Sequence, residues 1–211
     1  MTIMKRIAIS FALLFFAISV RAQSGPQDLK APTEKVLVLL KTPKGQGEST
    51  QDELRELVRT EMETRFEWEA TSRTCLGRHW AERTPAEQTE FVKVFSEFLK
   101  GRYSDLIAEY YRRVKRVDYK GQQIIDNHWA SVKLVVTTKA KVEHSIEYCM
   151  GKAPTSDEWK INDVVIDGDS LVKTYSDRLD AIITTSSYET LVKEMKSKLL
   201  LSAALQPSCK N

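Results

Sequence analysis

The sequence is poor in the residues that build metal sites and disulfide frameworks. It contains only three histidines and three cysteines, and none of them forms a CxxC pair, an HxH pair or a helical i, i+4 pair. An odd number of cysteines cannot pair completely, so a fold stapled by disulfides alone is excluded, while a single Cys75–Cys149 bridge stays open. The sequence therefore predicts no zinc site and no other metal centre.

Long apolar runs are also missing beyond residue 20. The one run, residues 7–20, follows Lys5 and Arg6 and ends at Val20-Arg21-Ala22. About fourteen apolar residues are fewer than the roughly 20 that a membrane-spanning helix needs. The pattern is typical of a secretory signal peptide at residues 1–22, and the alternative is an uncleaved membrane anchor. Cleavage would leave residues 23–211 as a single domain.

An excess of charge of either sign is missing from that domain. Removal of the signal peptide takes three of the 32 basic residues and none of the 29 acidic ones, which leaves 29 of each. A nucleic-acid-binding domain usually has a clear basic excess. The RRVKR run that ends at Arg116 is a local exception, and a solvated strand edge explains it better than a binding patch. We therefore expect no nucleic-acid partner.

Motifs for covalent catalysis are absent as well. The chain has no GxSxG element and no cysteine–histidine set with a third partner. The segment WKINDVVIDGDS carries three acids, Asp163, Asp167 and Asp169. Its corner lacks the ligand spacing of an EF-hand, and acids at the start of a helix are stabilised by the helix dipole. We therefore expect Asp167 and Asp169 to shape the turn rather than to bind a metal.

Asp163 differs from these acids because it lies in mid-strand among apolar residues. A buried carboxylate needs hydrogen-bond donors. The apolar alternation of this strand slips at Asn162–Asp163, which predicts a bulge whose amides could serve. The other source of donors is His128 or His144, which would form an acid–base dyad with Asp163.

The sequence does contain periodic segments in a clear order. Helical periodicity predicts short helices at residues 31–41, from Thr50 onward and at Trp68–Trp80. Thr84-Pro85-Ala86-Glu87 has the cap, proline and acid that begin a helix, and an aromatic stripe follows it. From Val114 the period changes to two and indicates four strands. Two helices follow, and we predict that Ser170 caps the first and Ser186 the second. This order predicts an α+β fold with a four-stranded antiparallel twisted sheet against a helical layer.

Two segments of the sequence resemble the MlaC family, periplasmic phospholipid-binding proteins also called the toluene-tolerance auxiliary component. They are CLGRHWAERTPAEQTEFVKVFSEFLKGRYSDLI and WKINDVVIDGDSLVKTYSDRLDAIITTSSYETLVKEMKSKL, and the resemblance covers residues 31–200. The matching elements are Leu76-Gly77, Trp80, the TP-x-E-Q run at Thr84, Phe91, Phe95, Leu99, Tyr103, and the Trp159, Asp163-Val164, Gly168 and Ser170-Leu171 corner. Two positions depart from the family: Asp169, where an apolar residue often precedes the serine, and Cys75, which replaces a small residue.

The resemblance implies a fold, a ligand and a route. It implies an NTF2-like sheet with an apolar cavity between sheet and helices, in which the acyl tails of a glycerophospholipid lie. It also implies a monomeric carrier in the periplasm with no cofactor other than the bound phospholipid. Such a carrier would shuttle lipid between an outer-membrane lipoprotein complex and an inner-membrane ABC transporter complex, and would maintain outer-membrane lipid asymmetry.

Apolar stripes of the sequence supply the residues expected to touch the lipid tails. They come from the aromatic helix, the strands and the helix after Ser170. The predicted lipid-binding residues are Phe91, Phe95, Phe98, Tyr103, Val132, Leu134, Val136, Ile146, Tyr148, Val164, Ile166, Leu171, Tyr175 and Leu179. The same residues could instead form a solid core. Two alternative functions stay open: a small NTF2-like hydrolase or isomerase that uses Asp163 with a histidine, and a carrier of hopanoids or other lipids.

Overall fold

The computed structural model describes residues 49–110, 113–152 and 157–204. The predicted signal peptide, the predicted helix at 31–41 and Cys209 lie outside the described residues. The helices are α1 (Ser49–Arg65), α2 (Trp68–Leu76), a 3-10 turn (Gly77–Trp80), α3 (Pro85–Tyr110), α4 (Leu171–Thr185) and α5 (Tyr188–Ala204). The strands are β1 (Val114–Ile124), β2 (Trp129–Thr138), β3 (Glu143–Lys152), β4 (Trp159–Ile166) and β5 (Asp169–Ser170).

Capping side chains mark the start of α3, α4 and α5. At the start of α3, the Thr84 amide donates to Glu87 Oε2 at 2.7 Å, and the Glu87 amide donates to Thr84 Oγ1 at 3.3 Å. This is the predicted capping box. Ser170 caps α4 as predicted, because its Oγ accepts the Lys173 amide at 2.9 Å. The prediction of Ser186 as the cap of α5 is wrong: Ser187 Oγ accepts the Thr190 amide.

The strands form one antiparallel meander in the order β1-β2-β3-β4-β5. The predicted α+β class, with its antiparallel sheet and its helices, is confirmed. The two-residue strand β5 adds a fifth strand to the predicted four, and it is too short to produce a periodic signal in the sequence. It pairs with the end of β4 and leads directly into α4, so the sheet fixes the position of that helix.

The corner between β4 and β5 is a tight turn. Asp167 and Gly168 both have positive φ, 53° and 94°, between the paired residues Ile166 and Asp169. Two consecutive residues with positive φ are typical of the type I′ hairpin turn, which Asp-Gly favours. Nearer the start of β4, the register between β3 and β4 shifts by one residue. Cys149 pairs with Asp163, and the next pair is Met150 with Ile161. The extra residue, Asn162, is the predicted bulge.

The apolar residues form two separate clusters. The helical cluster consists of Cys75, Leu76, Trp80, Phe91, Val94, Phe95, Leu99, Tyr175, Leu179, Tyr188, Leu191, Val192 and Met195. The sheet cluster consists of Val132, Met150, Ile161 and Val164. Within the helical cluster, the rings of Phe91 and Phe95 stack at 5.3 Å between their centroids. In the part of the chain that the structure describes, no helix is long and apolar enough to cross a membrane.

Candidate functional site

A cavity lies between β3 and β4 on one side and α1, α2, α3 and α4 on the other. Its volume is about 310 Å³, and apolar side chains form most of its wall. The lining residues are Val58, Glu61, Met62, Arg65, Phe66, Thr71, Cys75, Leu99, Tyr103, Leu106, Ile107, Ile146, Tyr148, Ile161, Asn162, Asp163, Val164, Ile166, Leu171, Val172 and Tyr175. Leu106 and Ile107 are 39% and 37% exposed, so the cavity reaches solvent beside the second half of α3.

Half of the predicted lipid-binding residues line this cavity. They are Tyr103, Ile146, Tyr148, Val164, Ile166, Leu171 and Tyr175. Their contact with acyl tails stays a prediction. The other seven lie outside the cavity wall.

The seven residues outside the cavity wall belong mainly to the protein's own core. Phe91, Phe95 and Leu179 are almost fully buried in the helical cluster, where aromatic neighbours cover them. Val132 and Leu134 are 0% and 3% exposed on β2, which lies beside β3 in the sheet. Val136 is half-buried near the end of β2, and Phe98 lines a separate cleft.

The largest group of residues that the sequence prediction missed comes from α1. Val58 and Met62 of α1 and Phe66, the residue that follows it, recur at helical spacing and line the cavity. That spacing was a usable signal, because it marks an apolar stripe that must face something. Within the same wall, Arg65 Nε donates to Glu61 Oε2 at 2.6 Å. The two charged residues of α1 that line the cavity therefore pair with each other.

Asp163 is held by donors from the bulge and from the start of α4. Its Oδ1 accepts the Val164 amide at 2.7 Å and the Val172 amide at 3.0 Å. Its Oδ2 accepts the Ser170 hydroxyl at 2.5 Å. The carboxylate therefore lies at the N-terminus of α4, where the helix dipole favours a negative charge. One backbone donor, the Val164 amide, follows the bulge at Asn162, and the other belongs to α4.

The histidines are not partners of Asp163. His144 Nδ1 lies 2.7 Å from Asp167 Oδ2, and Asp167 also accepts the Ser145 amide. Hydrogen bonding to His144, and then to the Ser145 amide, lowers the pKa of the Asp167 carboxyl. His128 lies in the exposed turn between β1 and β2. The proposed Asp163–histidine dyad is therefore wrong, and the described ranges contain no group of three His, Cys, Asp or Glu arranged to hold a metal.

Two phenols and one thiol that face the cavity are held in their neutral forms. Burial raises the pKa of the Tyr148 phenol. Burial, with Tyr175 as a second cause, raises that of Tyr103. Burial, reinforced by the charge of Asp163, raises the pKa of the Cys75 thiol to about 12. Cys75 and Cys149 are both free thiols, so the bridge that the sequence left open is not formed.

These features define a class: an α+β protein with an antiparallel open sheet, helices and an apolar cavity that carries no catalytic set among the described residues. The family is shown by comparison. The sequence model described as MlaC protein matches residues 30–197, and the chain belongs to the MlaC family. A relative from Haemophilus influenzae, the intermembrane phospholipid transport system binding protein MlaC, is 19% identical over 144 residues, which are 68% of this chain and 67% of that protein.

A solved structure shows the same fold. It is a phospholipid-binding protein from Ralstonia solanacearum, determined in complex with a phospholipid. The TM-score is 0.65 at 23% sequence identity, and the match covers 83% of this chain and 96% of that one. The resemblance inferred from the sequence is therefore confirmed at the level of family and fold.

Proposed function

We propose that this protein is a phospholipid carrier, which holds the acyl tails of a glycerophospholipid in the cavity between sheet and helices. The observation that carries the proposal is the cavity itself, with its apolar wall and its opening at Leu106 and Ile107. Family membership supports it, as does the phospholipid bound to the Ralstonia solanacearum protein.

The size of the cavity determines how much lipid it accepts. If a methylene occupies about the volume of a water molecule in liquid, roughly 30 Å³, then 310 Å³ holds on the order of ten methylenes. At about 0.8 kcal/mol per buried methylene, these contribute on the order of 8 kcal/mol before the costs of binding. Two complete tails offer on the order of 20 kcal/mol but need a wider cavity. Shape and an apolar lining thus account for tight binding without a catalytic or metal site.

The route of the carrier is the finer part of the proposal. We place the mature monomer, residues 23–211, in the periplasm, where it would carry lipid between an outer-membrane lipoprotein complex and an inner-membrane ABC transporter complex. The name of the Haemophilus influenzae relative, an intermembrane phospholipid transport system binding protein, supports this route. The signal-peptide pattern of residues 1–22 supports the location. N-terminal sequencing of a periplasmic extract should find Gln23 first, and a membrane-bound chain that retains Met1 would contradict it.

The binding test uses two neighbouring residues of β4 that face opposite sides of the sheet. Ile166 lines the cavity, whereas Val165 does not. Ile166→Trp should fill part of the cavity and reduce the phospholipid that co-purifies with the protein severalfold, because the indole occupies tail volume. Val165→Trp adds a similar bulk on the other face and should retain the wild-type lipid content. Organic extraction followed by mass spectrometry measures both, and circular dichroism melts verify folding.

Each outcome of this test has a clear reading. Wild-type protein purified without phospholipid would refute the carrier function, and stoichiometric hopanoid in its place would assign another lipid. Equal lipid loss in the two folded variants would place the ligand elsewhere. The hydrolase or isomerase alternative is disfavoured because Asp163 is bonded to backbone amides and Ser170 rather than to a histidine.

A further inference from the structure

A second cleft lies between α3 and α5, directly beside the opening of the cavity. Its volume is about 270 Å³, and its lining residues are Phe98, Gly101, Arg102, Asp105, Leu106, Lys198 and Leu199. Leu106 lines both the cavity and this cleft. A molecule whose tails fill the cavity and whose polar end passes Leu106 would therefore place that end in the cleft.

The cleft has an apolar floor and two cations at its side. Phe98, Leu106 and Leu199 form the floor, and Lys198 Nζ lies 6.0 Å from the centre of the Phe98 ring. Among the described residues, neither Arg102 nor Lys198 makes an ion pair. The acid of the cleft, Asp105, pairs with Arg55 Nε at 3.0 Å, and Arg55 also pairs with Asp52 at 2.6 Å. The lining of the cleft therefore carries two cations and one acid, and that acid is paired with Arg55 rather than with either cation.

A third cation lies close to the same opening. Burial is the largest influence on the pKa of Tyr103 and raises it, but the positive charges of Arg102 and Arg178 both act in the opposite direction. Tyr103 lines the cavity, so both guanidinium groups are near enough to affect a hydroxyl inside it. Three helices, α3, α4 and α5, thus each bring a basic side chain to this end of the molecule.

We propose that Arg102 and Lys198 bind the phosphate of a lipid headgroup, and that they give the protein a preference for headgroups with a net negative charge. This inference rests on the proposed function, since it assumes that the tails of the same lipid lie in the cavity. An apolar floor beneath two unpaired cations is complementary to an amphiphile with an anionic end. It is a poor match for a zwitterionic headgroup, whose ammonium would approach the same cations.

The experiment measures headgroup preference separately from lipid uptake. Delipidated protein is incubated with vesicles of equimolar phosphatidylglycerol and phosphatidylethanolamine with identical tails, and the bound lipid is quantified by mass spectrometry. Wild-type protein should carry phosphatidylglycerol in about three- to tenfold excess, the range expected for two partly exposed charge contacts. Arg102→Gln with Lys198→Gln should bring the ratio close to one in the lipid that stays bound.

The matched control removes the same charge from the same helices. Lys93 on α3 and Lys193 on α5 are exposed and lie outside the cleft, so Lys93→Gln with Lys193→Gln should keep the wild-type ratio. Arg102→Lys with Lys198→Arg preserves both charges and should retain most of the preference for phosphatidylglycerol. Replacement of chloride by inorganic phosphate at equal ionic strength should leave the ratio unchanged, because the site binds a headgroup and not free phosphate.

The failure of this inference differs from the failure of the proposed function. A wild-type ratio near one, an unchanged ratio in the cleft variant, or an equal loss in the control variant would overturn the headgroup site while lipid binding itself stands. Loss of the preference in inorganic phosphate would reassign the cleft to a free anion. Absence of any bound lipid from wild-type protein would refute the carrier function first.

Discussion

Replacement of Asp163 should reveal how much one carboxylate contributes to the join between sheet and helices. It accepts three hydrogen bonds, from the Val164 and Val172 amides and from the Ser170 hydroxyl. Bonds to a charged group contribute about 1.5–3 kcal/mol each. Asp163 is only half-buried, so water entering through the cavity can satisfy part of the lost bonding. We therefore expect Asp163→Ala to lower the free energy of unfolding by about 3 kcal/mol.

The conservative variant separates hydrogen bonding from charge. In Asp163→Asn the remaining oxygen can still accept both backbone amides, since both bind Oδ1, and the new amide group can donate to the Ser170 oxygen, so the charge is the main loss. Its cost should be about 1 kcal/mol, the size of a helix-dipole contribution. Asp169→Ala is the control because Asp169 is exposed at the same corner, and it should cost at most about 1 kcal/mol.

Urea denaturation of delipidated protein is the assay, with thermal melts as a second measure. For a domain of 150–250 residues each kcal/mol shifts Tm by about 2–4 °C, so Asp163→Ala should lower it by roughly 6–12 °C. A loss below about 1 kcal/mol would mean that the three bonds are replaced by water without cost. If Asp163→Asn is as damaging as Asp163→Ala, then the negative charge and not the bonding geometry stabilises the corner.

Three further predictions concern other parts of the structure. Cys75 should resist alkylation at pH 8 in the folded protein and react in urea, because burial raises its pKa to about 12; rapid labelling of folded protein would contradict this. Hydrogen bonding to His79, then the charge of Arg78, lowers the pKa of Asp180. The stability that the ionised Asp180 contributes is present above its unfolded pKa and is lost as the pH falls through its lower folded pKa. Below about pH 4, Tm should therefore fall less steeply in Asp180→Asn than in the wild-type protein. Equal slopes would argue against this prediction. Gly151→Ala should cost about 1–3 kcal/mol by chemical denaturation, because its methyl group would overlap the Asn162 amide; a neutral effect would show that Asn162 moves freely.

Local features of the fold could be predicted because neighbours in sequence determine them. The cap at Thr84 follows from residue types at fixed spacing, and the bulge at Asn162 follows from a slip in the strand period. The cap of α5 was misplaced by one residue, since Ser186 and Ser187 are equally good candidates by type. Ser187 forms the bond because Ser186 ends α4, where its amide donates to the Ile182 carbonyl.

The wall of the cavity was only partly predictable, because periodicity identifies a face but not what that face meets. The stripe that contains Phe91 and Phe95 is apolar whether it lines a cavity or a core, and Tyr188 and Tyr175 cover it. The sequence predicts that α1 has an apolar stripe. It does not predict that the stripe lies opposite β4, because that contact joins residues far apart in the chain. Similarly, the Val172 amide reaches Asp163 across nine positions, which requires the corner to fold back.

The apolar residues divide into a helical cluster and a sheet cluster. The cavity therefore lies at the seam between two packed clusters and is not a void inside one. Each cluster is packed within itself, so widening the seam by a few methylene widths would remove contacts across it and leave both interiors intact. If acyl tails enter as proposed, they would replace those contacts on both sides. The bound lipid would then form a third layer of the hydrophobic core, and stability would rise with occupancy by mass action. Emptying the protein should be measurable as a loss of folding stability before any partner is involved.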